Sequence, residues 1–164
     1  MSTLRVDSLQ GQTAGTNRYV VQVLSTTKTD HFTTSSTSFT DITGLSLTIT
    51  PSNSNNKVLI MTNVFASHGD AAILQALRDS TVIGSGDDSD STSTKRGFAM
   101  VRESATNIGG HYSLIHLDSP NTTSATTYKI QLKSDSSGTI RINGRASNEE
   151  YAASSSITLM EIAQ

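Results

Sequence analysis

The sequence has no cysteine and no tryptophan, two prolines in 164 residues, and few charges, 12 Lys and Arg against 14 Asp and Glu. Without cysteine there is no disulfide framework and no thiolate for catalysis or metal binding. No apolar run approaches the ~18 residues of a membrane-spanning helix. The opening residues Met1, Ser2, Thr3, Leu4, Arg5, Val6 and Asp7 show no apolar segment of signal-peptide kind. No membrane partner is expected, and export by lysis or particle assembly is expected in place of secretion. The basic residues are scattered and the formal net charge is −2. The electrostatic footprint of phosphate binding is therefore missing, and nucleic acid is not expected as a partner.

What fills the chain is Ser and Thr, about a third of all residues, while hydrophobic residues make up 34% and aromatics 5%. Low hydrophobicity accompanies disorder when net charge and proline are high, and here both are low. Thr is a strand former as well as a polar residue. The composition therefore reads as a strand-rich protein whose outer faces are Thr, Ser and Asn.

The pattern along the chain agrees. Leu45, Leu47 and Ile49 alternate with Ser46, Thr48 and Thr50, the period of a strand with one polar face. Pro51, Ser52, Asn53, Ser54, Asn55 and Asn56 form a turn on composition alone. Residues 58–65 are apolar almost throughout and predict a central strand covered on both faces. Residues 73–77 and 81–83, separated by Asp79 and Ser80, read as a hairpin. Further strands are predicted at 19–24, 98–101, 112–117, 128–132, 139–142 and 157–162, with a solvated loop at 87–94. The apolar last strand must be buried, so it closes the fold. Phe65 and Phe98 lie in apolar runs and are assigned to the core. Nine or ten strands without helices between them predict an all-β antiparallel jelly-roll sandwich over residues 17–164. Before it, Leu4, Arg5, Val6 and Leu9 precede a Gly-rich break and predict a short extended N-terminal arm, residues 1–16. That arm either anchors on a neighbour or adds an edge strand to its own domain.

Candidate chemistry is sparse. His111 and His116 are five apart, which puts them on opposite faces of a strand, so no shared metal is expected. His68, Gly69 and Asp70 hold the ingredients of a ligand pair or of a base with its orienting carboxylate. A polar turn is the favoured reading there, because a metal site needs three convergent ligands. Asp87, Asp88 and Asp90 bunch oxygen ligands as calcium sites do, but the distal Glu of such a loop is missing and Lys95 and Arg96 follow. Neighbouring Glu149 and Glu150 diverge and make no acid/base pair. No nucleophile elbow, phosphate loop or dinucleotide fingerprint is present. No catalytic residue, metal ligand or cofactor is assigned, and the chain is expected not to be an enzyme. Tyr112 and Tyr128 sit in strands where alternation can turn them outward, which makes them candidates for a subunit interface, with the core as the other reading.

Several segments are familiar as a set: Val23, Leu24, Ser25, Thr26, Thr27, Lys28, Thr29 and Asp30, then residues 38–51, then Lys57, Val58, Leu59 and Ile60. Leu117, Asp118, Ser119 and Pro120, residues 125–130, and the closing 156–162 complete it. Together they resemble small virion-associated proteins of tailed bacteriophages of the cyanophage and aquatic-phage type, described as tail-fibre-like or structural. The resemblance runs from Val21 to the end apart from residues 87–94. It implies a jelly-roll head similar in outline to the trimeric tumour-necrosis-factor and C1q type, with no catalytic residues to carry over. The expectation is a homotrimeric exterior virion protein, made in the host cytoplasm, acting as a tail-fibre or appendage subunit. Its expected partners are itself and other virion proteins, a fibre adaptor or the major capsid protein, with a host-surface glycan as a further candidate. Candidate exposed binding residues are Asp87, Asp88, Asp90, Lys95, Arg96, Asn107, Asn148, Glu149, Glu150 and Tyr151. A capsid decoration (cement) protein is the alternative. A carbohydrate-binding module is the third, weakened by the lack of Trp for sugar stacking.

Overall fold

A computed structural model describes residues 18–68, 71–87, 95–102, 109–145 and 152–164. Within them the chain is all-β, with eleven strands: β1 (Val20–Lys28), β2 (Phe32–Thr34), β3 (Thr40–Ile49), β4 (Lys57–His68), β5 (Ala72–Arg78), β6 (Thr81–Ile83), β7 (Ala99–Val101), β8 (Gly109–Asp118), β9 (Thr126–Ser134), β10 (Ile140–Ile142) and β11 (Ser155–Ile162). The predicted arm lies outside the described residues.

The strands form two antiparallel sheets. One runs β1-β11-β4-β8, with β10 continuing the β11 side of β4 and β2 pairing β10. The other runs β3-β9-β5, with the short β6 and β7 sharing the far side of β5. The chain crosses from sheet to sheet between β2 and β3 and at five of the eight later connections, and the last strand inserts between the first and the fourth. That is the jelly-roll topology, as the strand spacing predicts. The hairpin is also where it was expected. Arg78 pairs with Thr81, and Asp79 takes the positive φ of 52° that a two-residue turn requires.

Alternation fills the space between the sheets. Val58, Ile60 and Val64 of β4, with Ile157 and Leu159 of β11 beside them, face Leu45 and Ile49 of β3 and Tyr128, Ile130 and Leu132 of β9; all are buried to 1% exposure or less. Strand β3 keeps both ends of its apolar set inward by a bulge. Ile42 and Leu45 are three apart yet both buried, and the register shifts between Asp41 and Ser46. Gly44 absorbs the extra residue at φ 89°, a conformation costly for any residue with a Cβ.

Two expectations need correction. Strand β4 is central in its sheet, but only one of its faces is covered by the chain itself. Leu59, Met61 and Phe65 point outward and are half-buried, while Asn63 is exposed. Phe65 therefore does not join the core. Its ring lies edge-on to His111 at 5.2 Å and fills the space left by the missing side chain of Gly109. The sequence of β4 is that of a strand buried on both sides, and the single chain buries one.

Candidate assembly surface

The outer face of the β1-β11-β4-β8 sheet is built by register. Val23 pairs with Met160, Met160 with Leu59, and Leu59 with Leu117, so four apolar side chains form one row across four strands. The next row is Ser25, Thr158, Met61 and Ile115, and the one after it is Thr27, Ser156, Asn63 and Ser113. On the other side, Val20 and Ile162 extend the apolar zone to Lys57. Exposure is high where nothing of the chain's own overlies the row: Val23 52%, Leu117 47% and Ile115 73%. In these strands the outward positions carry only Lys57 and His111 as ionisable groups.

The outer face of the other sheet has opposite character along β3 and β9. Lys129 donates to Asp41 at 2.9 Å, Gln131 to Asp41 at 2.6 Å and Gln75 to Gln131 at 2.7 Å, while the hydroxyls of Thr48 and Thr127 lie 2.9 Å apart. Burial would raise the Asp41 carboxyl, but the bonds from Lys129 and Gln131 outweigh it and hold it below the usual range. The β3 and β9 part of that face is thus finished for water, while its β5 side carries Ile73 and Leu77 beside the exposed Met100 and Val82. The outer face of the β1-β11-β4-β8 sheet has the charge depletion and the Met and aliphatic content of an interface centre, in a contiguous zone of the kind monomers seldom leave open.

The edges add to this contrast. Ten consecutive residue pairs join β8 to β4 without a bulge, and among the described residues β8 has no second neighbour. Strand β3, by contrast, is broken by its bulge and carries Asp41, and β2, β6 and β7 are three residues long. Short, bulged or charged edges resist further pairing, and β8 has none of these features.

Buried polar groups are used to lock the fold. The Glu161 carboxylate, fully buried, accepts hydrogen bonds from Gln22 Nε2 at 2.6 Å, Ser52 N and Oγ at 2.7 Å each, and Asn56 Nδ2 at 2.6 Å. Burial alone would raise its pKa; the bonds from Asn56, Gln22 and Ser52 prevail and bring it to about 2. It is a fixed anion, engaged on both oxygens, and a poor proton acceptor at neutral pH. Asp118 accepts both from Arg78 at 2.8 Å and from the Tyr128 hydroxyl at 2.7 Å. Burial and that bond to Asp118 raise the Tyr128 pKa, so the phenol stays protonated. Asn143, buried at φ 62°, donates to the carbonyls of Lys28 and Asp30 and accepts from Ser155 Oγ at 2.6 Å. These three clusters tie strands of different sequence position together.

The residues singled out from sequence fall as follows. Tyr128 shares its parity with Ile130 and Leu132 and is a core residue, not an interface one. Tyr112 turns to the inner side of β8 with Leu114 and packs against the core, half-buried. Neither is on the outer face. His111 and His116 do point to opposite sides of β8. Asp87 is fully exposed, with Arg96 Nη2 at 3.7 Å, and Lys95 pairs with Asp135 at 2.9 Å. The Lys95 pair borders a shallow depression of about 200 Å³ floored by Ile73, Phe98 and Met100. Leu4, Arg5, Val6, Leu9, Gly69, Asp70, Asp88, Asp90, Asn107, Asn148, Glu149, Glu150 and Tyr151 lie outside the described residues. Among the described residues no three His, Asp or Glu side chains gather as metal ligands would. Sequence reasoning missed Val23, Leu59, Met61, Ile115, Leu117 and Met160. The signal was present in the run 58–65, apolar at both parities.

No protein-family model matches this chain, and no curated protein matches it.

Proposed function

We propose that the chain is a non-enzymatic structural subunit that assembles as a homotrimer on the exterior of a tailed-phage virion, as a tail-fibre or appendage component. The observation that carries the assembly part is the charge-poor apolar row Val23, Met160, Leu59 and Leu117 on an otherwise finished jelly roll. Covering it with further copies removes apolar area from water, the dominant favourable term in association. The virion setting is supported by the resemblance of residues 21–86 and 95–164 to phage structural proteins and by the Ser- and Thr-rich outer surface. The polar β3 and β9 surface of the other sheet is then left to solvent or to a host surface.

The test is the native mass by light scattering, without denaturant. A mass near three times 17.4 kDa is expected, and Met61→Lys, which places a charge in the middle of the apolar face, is expected to leave a folded monomer. A wild-type monomer across the accessible concentration range overturns the assembly reading. Antibody labelling of particles then separates the positions: label on the tail supports an appendage, label over the head supports a decoration protein, and no label on particles overturns the virion setting.

A further inference from the structure

We propose that copies of this chain join head to tail, the β8 margin of one seated against the β1 margin of the next. The proposal rests on the assembly reading above and specifies which surfaces meet.

The first ground is where the exposed apolar groups lie. The middle of the outer face is partly covered by its own neighbours, with Leu59, Met61 and Met160 half-buried. On this sheet the uncovered groups gather at two margins; Val82 and Met100, also exposed, belong to the short edge strands of the other sheet. On β1 they are Val20 at 49%, Val21 at 38% and Val23 at 52%, and on β8 they are Ile115 at 73% and Leu117 at 47%. The two margins are opposite edges of one sheet, three strand spacings or roughly 14 Å apart. A twofold contact sets a patch against its own copy. Two unlike patches at opposite margins fit a heterologous contact, which closes when the rotation completes a ring.

The second ground is the guarding of the edges. From Tyr19 to Thr27 and from Gly109 to Leu117 there is no Lys, Arg, Asp, Glu or Pro. Both long edges of this sheet therefore lack the charged residues and prolines that keep strands from pairing with another chain; a bulge between Val20 and Gln22 interrupts only the start of β1. The β3 edge of the second sheet has them, in Asp41 and its bulge.

The third ground is direction. Strand β1 is antiparallel to β11, β11 to β4 and β4 to β8, so β1 and β8 run oppositely within one subunit. A rotation about an axis along the strands preserves direction. It brings β8 of one copy beside β1 of the next in the antiparallel sense, which pairs slightly better than the parallel one. Ile115 and Leu117 then meet Val21 and Val23 of the neighbouring copy.

The absence of native cysteine makes the test direct. Full-length chains carrying Val23→Cys with Ile115→Cys, and Val21→Cys with Leu117→Cys, the pairs that an antiparallel register aligns together, are treated with a short bis-maleimide. The four single variants serve as controls, and native mass is measured beforehand. The expected result is loss of the monomer band in at least one double variant to covalent dimer and a closed trimer, with single variants remaining monomeric on denaturing gels. Covalent dimers from a single variant mean that like margins meet and overturn the proposal. A trimeric native mass with no cross-link in either double variant overturns the head-to-tail contact and leaves the assembly reading standing. A monomeric native mass overturns both.

Discussion

Replacing Glu161 with Gln keeps the shape of a buried side chain and removes its charge. The wild-type carboxylate accepts four hydrogen bonds, three on one oxygen from Ser52 and Asn56 and one on the other from Gln22. An amide retains one acceptor oxygen and turns an NH2 towards a donor. Gln22 can flip to meet it only by giving up its bond to the Thr50 carbonyl. Three bonds fall from charge-assisted to neutral, about 1 kcal/mol each, and one is broken or traded. Relief of the desolvation cost of a buried charge offsets part of this, leaving a loss of about 2 kcal/mol. The pKa leads to a similar figure. A carboxyl lowered from 4.5 to about 2 corresponds to about 3 kcal/mol as a ceiling, the same order as the hydrogen-bond figure. Because the folded pKa lies below the unfolded one, this stabilisation is complete above about pH 4.5 and lost as pH falls towards about 2. Urea unfolding of wild type and Glu161→Gln, followed by far-UV circular dichroism at one protein concentration, measures the gap at each pH. The gap should be about 2 kcal/mol at neutral pH and close on acidification. A gap under about 0.5 kcal/mol at pH 7, within the range of an ordinary surface change, would refute the reasoning. So would a gap that stays constant down to pH 2.

Three other substitutions probe the rest of the fold. Tyr128→Phe removes the donor to Asp118 while Arg78 still holds that carboxylate, so a loss of about 1–2 kcal/mol in urea unfolding is expected with the fold retained. Asn143→Ala both strains a left-handed residue and strips partners from Ser155, the buried Lys28 carbonyl and the partly buried Asp30 carbonyl; a loss of about 3 kcal/mol or more is expected, and Asn143→Gly should recover about 1 kcal/mol of it. Leu159→Asp puts a carboxylate at a fully buried position of β11, at a cost of several kcal/mol. Circular dichroism should show no folded protein, and a soluble folded variant would contradict the central placement of that strand.

Much of the fold was legible in the residues. The alternation in 45–49 and 157–162, the two-residue turn at Asp79 and Ser80, and the polar turn at 51–56 are local signals, and each specifies its own strand or turn. The bulge at Gly44 was less legible, because a residue inserted into an alternating run looks like a break in the pattern. The buried polar clusters were invisible. Glu161 and Asn56 are 105 positions apart, and nothing near either residue marks the other as its partner.

The sequence by itself therefore determined the class of structure: many short strands, no disulfides, and an apolar final strand that has to be enclosed. Tertiary structure decided which side of each strand is inside. It turned Tyr128 and Tyr112 inward, and it turned Leu59, Met61, Ile115 and Leu117 outward onto one face. The reason is that a strand's period of two separates its faces without saying which faces the core. That choice depends on the cross-strand register of β1, β11, β4 and β8, which is set by pairing between residues far apart in the chain. A run apolar at both parities, such as 58–65, states that both sides want cover, and only the assembled sheet shows which side the chain leaves open.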